Sequence, residues 1–239
     1  DRAIERLTAF ARCCPDAGIW GGRTVFGDGS LNPGSCWRRM SLWNLACRAL
    51  GLTALFKSSE VFNGEAYGGW QRDDVRAVDI VTGCFLLIKR TMWHDLGGFD
   101  PAFFMYGEEA DLCLRAAALG ARPLVTPDAE IVHYGGASER VRADKLVRLL
   151  SGKVTLIQRH FSAAARGTGV ALLAAWPLTR MTGLFIAAAV TGSKPHKESA
   201  RTWQEVWLRR REWISGYAKP DMSSATTKPQ SAIAPSTAG

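Results

Sequence analysis

The sequence has six cysteines but no Cys-x-x-Cys pair, and Cys47, Cys84 and Cys113 lie inside apolar segments. Neither a zinc site nor a secreted disulfide framework is suggested, and a reducing cytosol fits best. A leader-type apolar run is missing at the start, where Arg2, Glu5 and Arg6 interrupt it. Also missing is an unbroken apolar stretch of about 20 residues, the length that spans a bilayer. The nearest approach, residues 167–190, is cut by Pro177 and Arg180. No internal repeat is present. Acids thin out in the second half, and the net charge of +8 lies largely after Asp144. There Lys145, Arg148, Lys153, Arg159, Arg166, Arg180, Lys194, Lys197, Arg201 and Arg209-Arg210-Arg211 face few carboxylates.

That asymmetry points to an anionic surface as partner. No nucleic-acid-binding motif or basic-aromatic sheet pattern accompanies the charge, so anionic lipid is favoured over nucleic acid. Residues 167–190 read either as an interfacial or re-entrant helical pair or as a buried amphipathic helix, and length alone does not separate the two. Trp203, Trp207 and Trp213 stand beside Arg209 to Arg211 and suit either a lipid interface or packing of that helix onto the rest of the chain.

What is present is ordinary globular material: 239 residues, 47% apolar and 10% aromatic, enough for one substantial core. Residues 4–11 carry apolar positions at helical spacing, ended by Cys14-Pro15-Asp16. Gly18-Ile19-Trp20 and Thr24-Val25-Phe26 read as short strands before a Gly27-Asp28-Gly29 turn. Residues 35–55 have a helical pattern, and 63–74 read as a polar, glycine-rich loop. Residues 78–88 are almost continuously apolar, as in a strand covered on both faces. Helices are expected over 89–96 and 108–119, ended by Gly97-Gly98 and Gly120. Pro123-Leu124-Val125 and Ile131-Val132-His133 complete the strands. The alternation argues a layered α/β domain over 1–143. Beyond it come a helical, basic, membrane-associating extension over 144–218 and a Ser/Thr/Ala/Pro-rich, disordered tail over 219–239.

The most informative run is Gly98-Phe99-Asp100-Pro101-Ala102-Phe103-Phe104-Met105-Tyr106-Gly107-Glu108-Glu109-Ala110-Asp111-Leu112-Cys113-Leu114-Arg115. It sets adjacent carboxylates at a helix start, where unpaired N–H groups and the helix dipole favour negative charge. Such a group can act as a general base, but first-turn acids also serve simply to stabilise a helix. Asp111 and Arg115 are four residues apart and can pair on one helix face, in a structural or a binding role. His133 ends an apolar strand before Gly135-Gly136, a place for a ligand or for a hydrogen-bonded structural histidine. Gly83, at a strand end, either lets a substrate approach or permits close packing. Phe99, Phe103, Phe104 and Tyr106 either stack on a ligand or fill a core, and Tyr106 is nearest the acids.

In order, Val81-Thr82-Gly83, Gly97-Gly98-Phe99-Asp100, Phe103-Phe104-Met105-Tyr106-x-Glu108-Glu109, Asp111-Leu112-Cys113-Leu114-Arg115 and His133-x-Gly135-Gly136 fill residues 78–138. This order resembles the acceptor-side half of family 2 glycosyltransferases, inverting GT-A enzymes that include bacterial rhamnosyltransferase-like proteins. With Pro15 to Trp20 and Asp28 to Leu31, the likeness covers roughly the first 140 residues. The resemblance implies a partial GT-A (nucleotide-diphospho-sugar transferase-like) domain. It makes Glu109 the base, where most relatives have aspartate, with Glu108 positioning the acceptor and Asp111 beside them. Gly83, Tyr106 and Arg115 would touch substrate, and His133 would help hold a divalent cation, Mn²⁺ or Mg²⁺. The family's Asp-x-Asp cation motif has no counterpart, since Asp73-Asp74 sit in a polar loop and Asp28-Gly29 reads as a turn. The chain is therefore expected to be an acceptor-side fragment or a member that has lost donor binding.

The activity implied is transfer of a sugar, with inversion, from a nucleotide-sugar donor to a glycan or lipid-linked acceptor. The setting would be cell-surface polysaccharide biosynthesis, in the cytoplasm at the inner face of the plasma membrane. A non-catalytic acceptor- or membrane-binding module is the second reading, and a basic surface-binding protein without enzymatic ancestry the third.

Overall fold

β1 (Ile19–Val25) lies inside a four-stranded mixed sheet, and its sequence shows why it can. A Cβ at Gly21 would collide with the Val81 side chain, and one at Gly22 with the Phe85 ring and the Ala129 carbonyl. The Gly-Gly step lets neighbouring layers close onto this strand, and it joins the two expected strand fragments into one. β5 (Leu86–Ile88) pairs antiparallel with one edge of β1, and β6 (Leu124–Val132) pairs parallel with the other. β3 (Arg76–Ala77) lies beyond β6. The β1–β6 register jumps from Gly22–Thr126 to Arg23–Glu130. Pro127, which has no N–H to give a ladder, falls within that bulge.

The structure, a computed structural model, describes residues 2–134 and 142–218. Gly135-Gly136 and the expected disordered tail at 219–239 lie outside the described residues. α1 (Ala3–Cys13) buries Leu7 against Trp20 and Ala129. The expected single strand over 78–88 is two strands in two sheets. β4 (Ile80–Val81) pairs with β2 (Cys36–Trp37), and a tight turn over Gly83–Phe85 separates it from β5. The apolar run reflects two separate burials, one on each side of that turn. Residues 35–55, read as helical throughout, begin with β2 and continue as α2 (Leu42–Ala49) and α3 (Leu52–Leu55). Ser41 caps α2 by accepting from Asn44 N. α4 (Arg90–Leu96) and α5 (Glu108–Ala118) match the expected helices closely.

The helical region consists of α6 (Arg142–His160), α7 (Ala163–Thr191), α8 (Lys194–Leu208) and α9 (Arg210–Trp213). Leu45 of α2 shares one core with Leu150, Val154, Leu173, Trp203, Val206 and Trp213. Trp203 and Trp213 are thus packing residues. Trp207 is partly buried against the same core, so packing explains these tryptophans better than lipid does. Residues 167–190 are not a broken pair. They run within one 29-residue helix with Pro177 inside it. Proline removes one helical hydrogen bond, but Pro177 is buried with Gly169 and Leu173 on the face that packs inward, and that packing holds the helix through it. Among the described residues, α7 is the one helix long and apolar enough to cross a membrane, with 17% of its most apolar window buried.

Candidate active site

Two consecutive left-handed residues, Tyr106 (φ 67°) and Gly107 (φ 102°), turn the chain into α5 and set where its first carboxylates stand. The turn is braced from two sides. A Cβ on Gly107 would press on Phe103 at 3.1 Å and on Leu156 of α6 at 3.4 Å, and a Cβ on Gly152 of α6 would strike the Tyr106 carbonyl. α6 and the start of α5 therefore meet through glycine, backbone against backbone.

In front of this turn opens a cavity of about 680 Å³. Its walls come from the segment that follows β1 (Phe26, Asn32, Gly34), residues 37–40, Thr82, the first turn of α5, and α6 from Lys145 to His160. Glu109, Tyr106 and His133, all singled out in the sequence, reach it together. Burial and then the neighbouring Glu108 push the Glu109 carboxyl above its ordinary value, opposed by local backbone N–H groups and by Lys153. A carboxylate raised in this way is a stronger base near neutrality than an exposed glutamate.

The other sequence candidates do not line the cavity. One carboxylate oxygen of Glu108 is buried without a hydrogen bond. Gly83 is exposed beyond Thr82, and a Cβ there would sit 3.6 Å from the Glu109 Cβ, so it packs beside the acid. Phe103 is buried, while Phe104 is 75% exposed.

Asp111 is 1% exposed and points away into an ion network. Arg115 Nε donates to its Oδ2 at 2.7 Å, and His160 Nε2 lies 2.8 Å from its Oδ1. Burial pushes Asp111 up, but hydrogen bonds from His160 and Arg115 outweigh this and hold it below its ordinary value. An ionised carboxylate only accepts, so the His160 proton sits on Nε2. Arg115 also donates to the Leu96 and Gly98 carbonyls, both at 2.8 Å, and Arg159 pairs with Asp100. Asp111 and Arg115 thus hold the Gly-Gly-Phe-Asp turn, α5 and α6 together.

His133 is tied through its backbone, its N donating to Val25 O at 2.8 Å and its O accepting from Asn32 Nδ2 at 2.9 Å. Its imidazole could supply one metal ligand. Among the described residues no group of three His, Cys, Asp or Glu side chains could hold a metal ion, so a complete ligand set is not found there.

The chain is similar over short stretches to rhamnosyltransferases and to an O-antigen biosynthesis protein. Rhamnosyltransferase WbbL of Escherichia coli (strain K12) is 35% identical over 71 residues, 30% of this chain and 27% of its own length. The N-acetylglucosaminyl-diphospho-decaprenol L-rhamnosyltransferase of Mycobacterium tuberculosis (strain ATCC 25618 / H37Rv) is 37% identical over 59 residues, 25% of this chain and 19% of its own. O-antigen biosynthesis protein RfbC of Myxococcus xanthus is 35% identical over 63 residues, 26% of this chain and 5% of its own. The matched part of the chain thus spans at most 27% of these relatives. No protein-family model matches. The chain therefore has distant, partial glycosyltransferase relatives.

The structure adds site residues that the sequence did not reveal. Glu65, 8% exposed at its side chain, accepts from Arg48 Nη2 at 2.8 Å and from Lys153 Nζ on the cavity wall. Burial pushes Glu65 up, but Arg48 and Lys153 overcome it and bring its pKa to about 2. With Arg38, Arg39 and Lys145 also on the wall, cations outnumber the two cavity acids, Glu65 and Glu109. Glu65 and Lys153 lie 88 residues apart, and no local pattern could have joined them.

Proposed function

We propose that this cavity is the acceptor side of an inverting glycosyltransferase of the GT-A, family 2 kind, with Glu109 as its base. The observation that carries this reading is the placement of Glu109. It is a half-buried carboxylate with a raised pKa, at a helix start, on the wall of a cavity otherwise dominated by cations. Transfer needs one proton removed from the acceptor hydroxyl as its oxygen forms a bond to the anomeric carbon. The bond from that carbon to the donor's diphosphate oxygen breaks on the opposite face, and its electron pair leaves with the nucleotide diphosphate. The hydroxyl proton goes to Glu109. The Arg38, Arg39, Arg48, Lys145 and Lys153 side suits an acceptor that carries its own phosphates, such as a diphosphate-linked lipid glycan, and the donor is a nucleotide-activated sugar of the rhamnose type.

The product would enter cell-surface polysaccharide, with the protein working in the cytoplasm at the inner face of the plasma membrane. Manganese or magnesium would bind with His133 as one of its ligands.

The test is calorimetric titration with UDP and dTDP, with and without Mn²⁺, followed by transfer from the matching nucleotide-sugar to a diphosphate-lipid acceptor by wild type and Glu109→Gln. Turnover by wild type that Glu109→Gln abolishes supports the proposal. Acceptor binding without nucleotide binding would instead make the chain a non-catalytic acceptor module.

A further inference from the structure

Along α6, Lys145, Leu149, Lys153, Leu156 and His160 recur every three or four residues, and all five line the cavity. They form one face of the helix. The lysines come first along it and the imidazole last, and the seven residues from Lys153 to His160 advance the axis by about 10 Å. The cavity wall thus has an ammonium end and an imidazole end.

The imidazole is fixed from behind. His160 Nε2 donates to Oδ1 of the buried Asp111 at 2.8 Å, and the same carboxylate has Arg115 at 2.7 Å and Arg159 at 3.6 Å. Two guanidiniums already supply positive charge there, so what Asp111 takes from the ring is a hydrogen bond. Tying α6 to α5 in this way uses one ring nitrogen. The other, Nδ1, has no hydrogen-bond partner among the described residues. With the proton on Nε2, a neutral imidazole carries a lone pair at Nδ1 and accepts a hydrogen bond there.

We propose that His160 contacts the acceptor sugar, its Nδ1 accepting a hydrogen bond from a hydroxyl other than the one that Glu109 deprotonates. The inference rests on the reading of the cavity as a sugar-acceptor site and says how the sugar lies in it. Leu156, one turn before His160, meets the start of α5, where a Cβ on Gly107 would stand 3.4 Å from it. His160 is therefore about one helical turn beyond the level at which the base enters. The phosphates of the acceptor lie toward Lys145 and Lys153, and its sugar lies toward Glu109 and His160. Leu114 and Phe161 line the same cavity and offer apolar surface to the C–H face of a pyranose, while the imidazole fixes its orientation. His160 takes no proton in the reaction. It selects the sugar, because an analogue without the contacted hydroxyl leaves Nδ1 unpaired.

The test is titration of the full chain with glucose, galactose, mannose and N-acetylglucosamine 1-phosphates, beside inorganic phosphate. Long-range proton–nitrogen correlation spectra report the ring nitrogens of its four histidines, assigned by substituting each in turn. At least one sugar phosphate should move the His160 Nδ1 signal and leave that nitrogen unprotonated, and inorganic phosphate should not move it. In calorimetry, His160→Gln should weaken the same sugar phosphate about twofold to tenfold and leave inorganic phosphate unchanged. The glutamine amide keeps an N–H for Asp111, so thermal unfolding is expected to stay as in wild type. If the variant fails to fold, the wild-type spectra decide alone, with His160 assigned by elimination. Binding of no sugar phosphate, an unmoved His160 Nδ1 in the complex, or unchanged affinity in His160→Gln overturns the inference. So does a protonated Nδ1 in the complex, since the ring would then donate to the phosphate. None of these readouts uses turnover, so absent transfer with the contact intact would strike the proposed reaction alone.

Discussion

Lys153, in the middle of α6, donates to the Glu65 carboxylate in the loop before β3, and Arg48 of α2 donates to the same group from another side. Three segments remote in sequence meet at one buried acid. This pins the cationic wall of the cavity in place before any ligand arrives.

Removing that acid should be costly. Glu65→Ala leaves Lys153 and Arg48 without their shared counter-charge, and breaking a buried pair in this way costs about 3–5 kcal/mol. Urea unfolding at neutral pH measures it. The sign of the pH dependence follows from a folded value of about 2 against an ordinary 4.5. Glu65 contributes its stability above pH 4.5, and that contribution is lost as pH falls toward 2. Glu65→Ala should therefore have a flatter stability profile over that window than wild type.

Glu109→Gln should separate activity from folding. Loss of a general base lowers turnover roughly 100- to 10,000-fold. The raised value of Glu109 means that its ionised form weakens the folded state at neutral pH, so the neutral glutamine should leave the melting temperature equal or higher. A melting temperature that drops along with activity would mean that the acid serves the helix.

The rate profile should carry the same signature. A base must be deprotonated to act, so kcat/KM should fall on the acid side through a pKa above the ordinary 4.5 of glutamate. An acid limb at or below that value would assign the titration to another group.

Asp111→Asn should behave in the opposite way. It removes an ionised partner of Arg115 and His160 from the ion network, and a stability loss of about 2–4 kcal/mol is expected in thermal or urea unfolding. Because Asp111 is held below its ordinary value, the loss should be largest near neutrality and should shrink as pH falls. Wild-type stability in the variant would return Asp111 to the direct substrate contacts.

Gly152→Ala probes how α6 meets α5. The added methyl would strike the Tyr106 carbonyl, where backbone has little room to give, and overpacking of this kind costs about 1–3 kcal/mol. Because the displaced turn carries Glu109, turnover should fall further than stability accounts for, measured as kcat beside the melting temperature.

Much of this site was legible in the sequence because its signals are local. The acids at the start of α5, the spacing of Asp111 and Arg115 and the histidine after β6 are short-range patterns, and the structure brings Glu109, Tyr106 and His133 to one cavity. What stayed hidden depends on distant partners. Apolar residues over 78–88 look alike whether they fill one strand or two, and only the pairing of β4 with β2 and β5 with β1 divides them. Pro177 reads as a break until Leu173 and its neighbours in the helical core supply the packing that keeps α7 whole. The Glu65 ion cluster leaves no trace in any local window.

One helix of eight residues, α2, meets the cavity with Arg48 and the outside with Trp43 and Leu50 just past its end. A helix this short moves as one rigid piece, so anything that presses on Trp43 or Leu50 from outside would carry its push to Arg48 and the cavity wall without any change inside the helix.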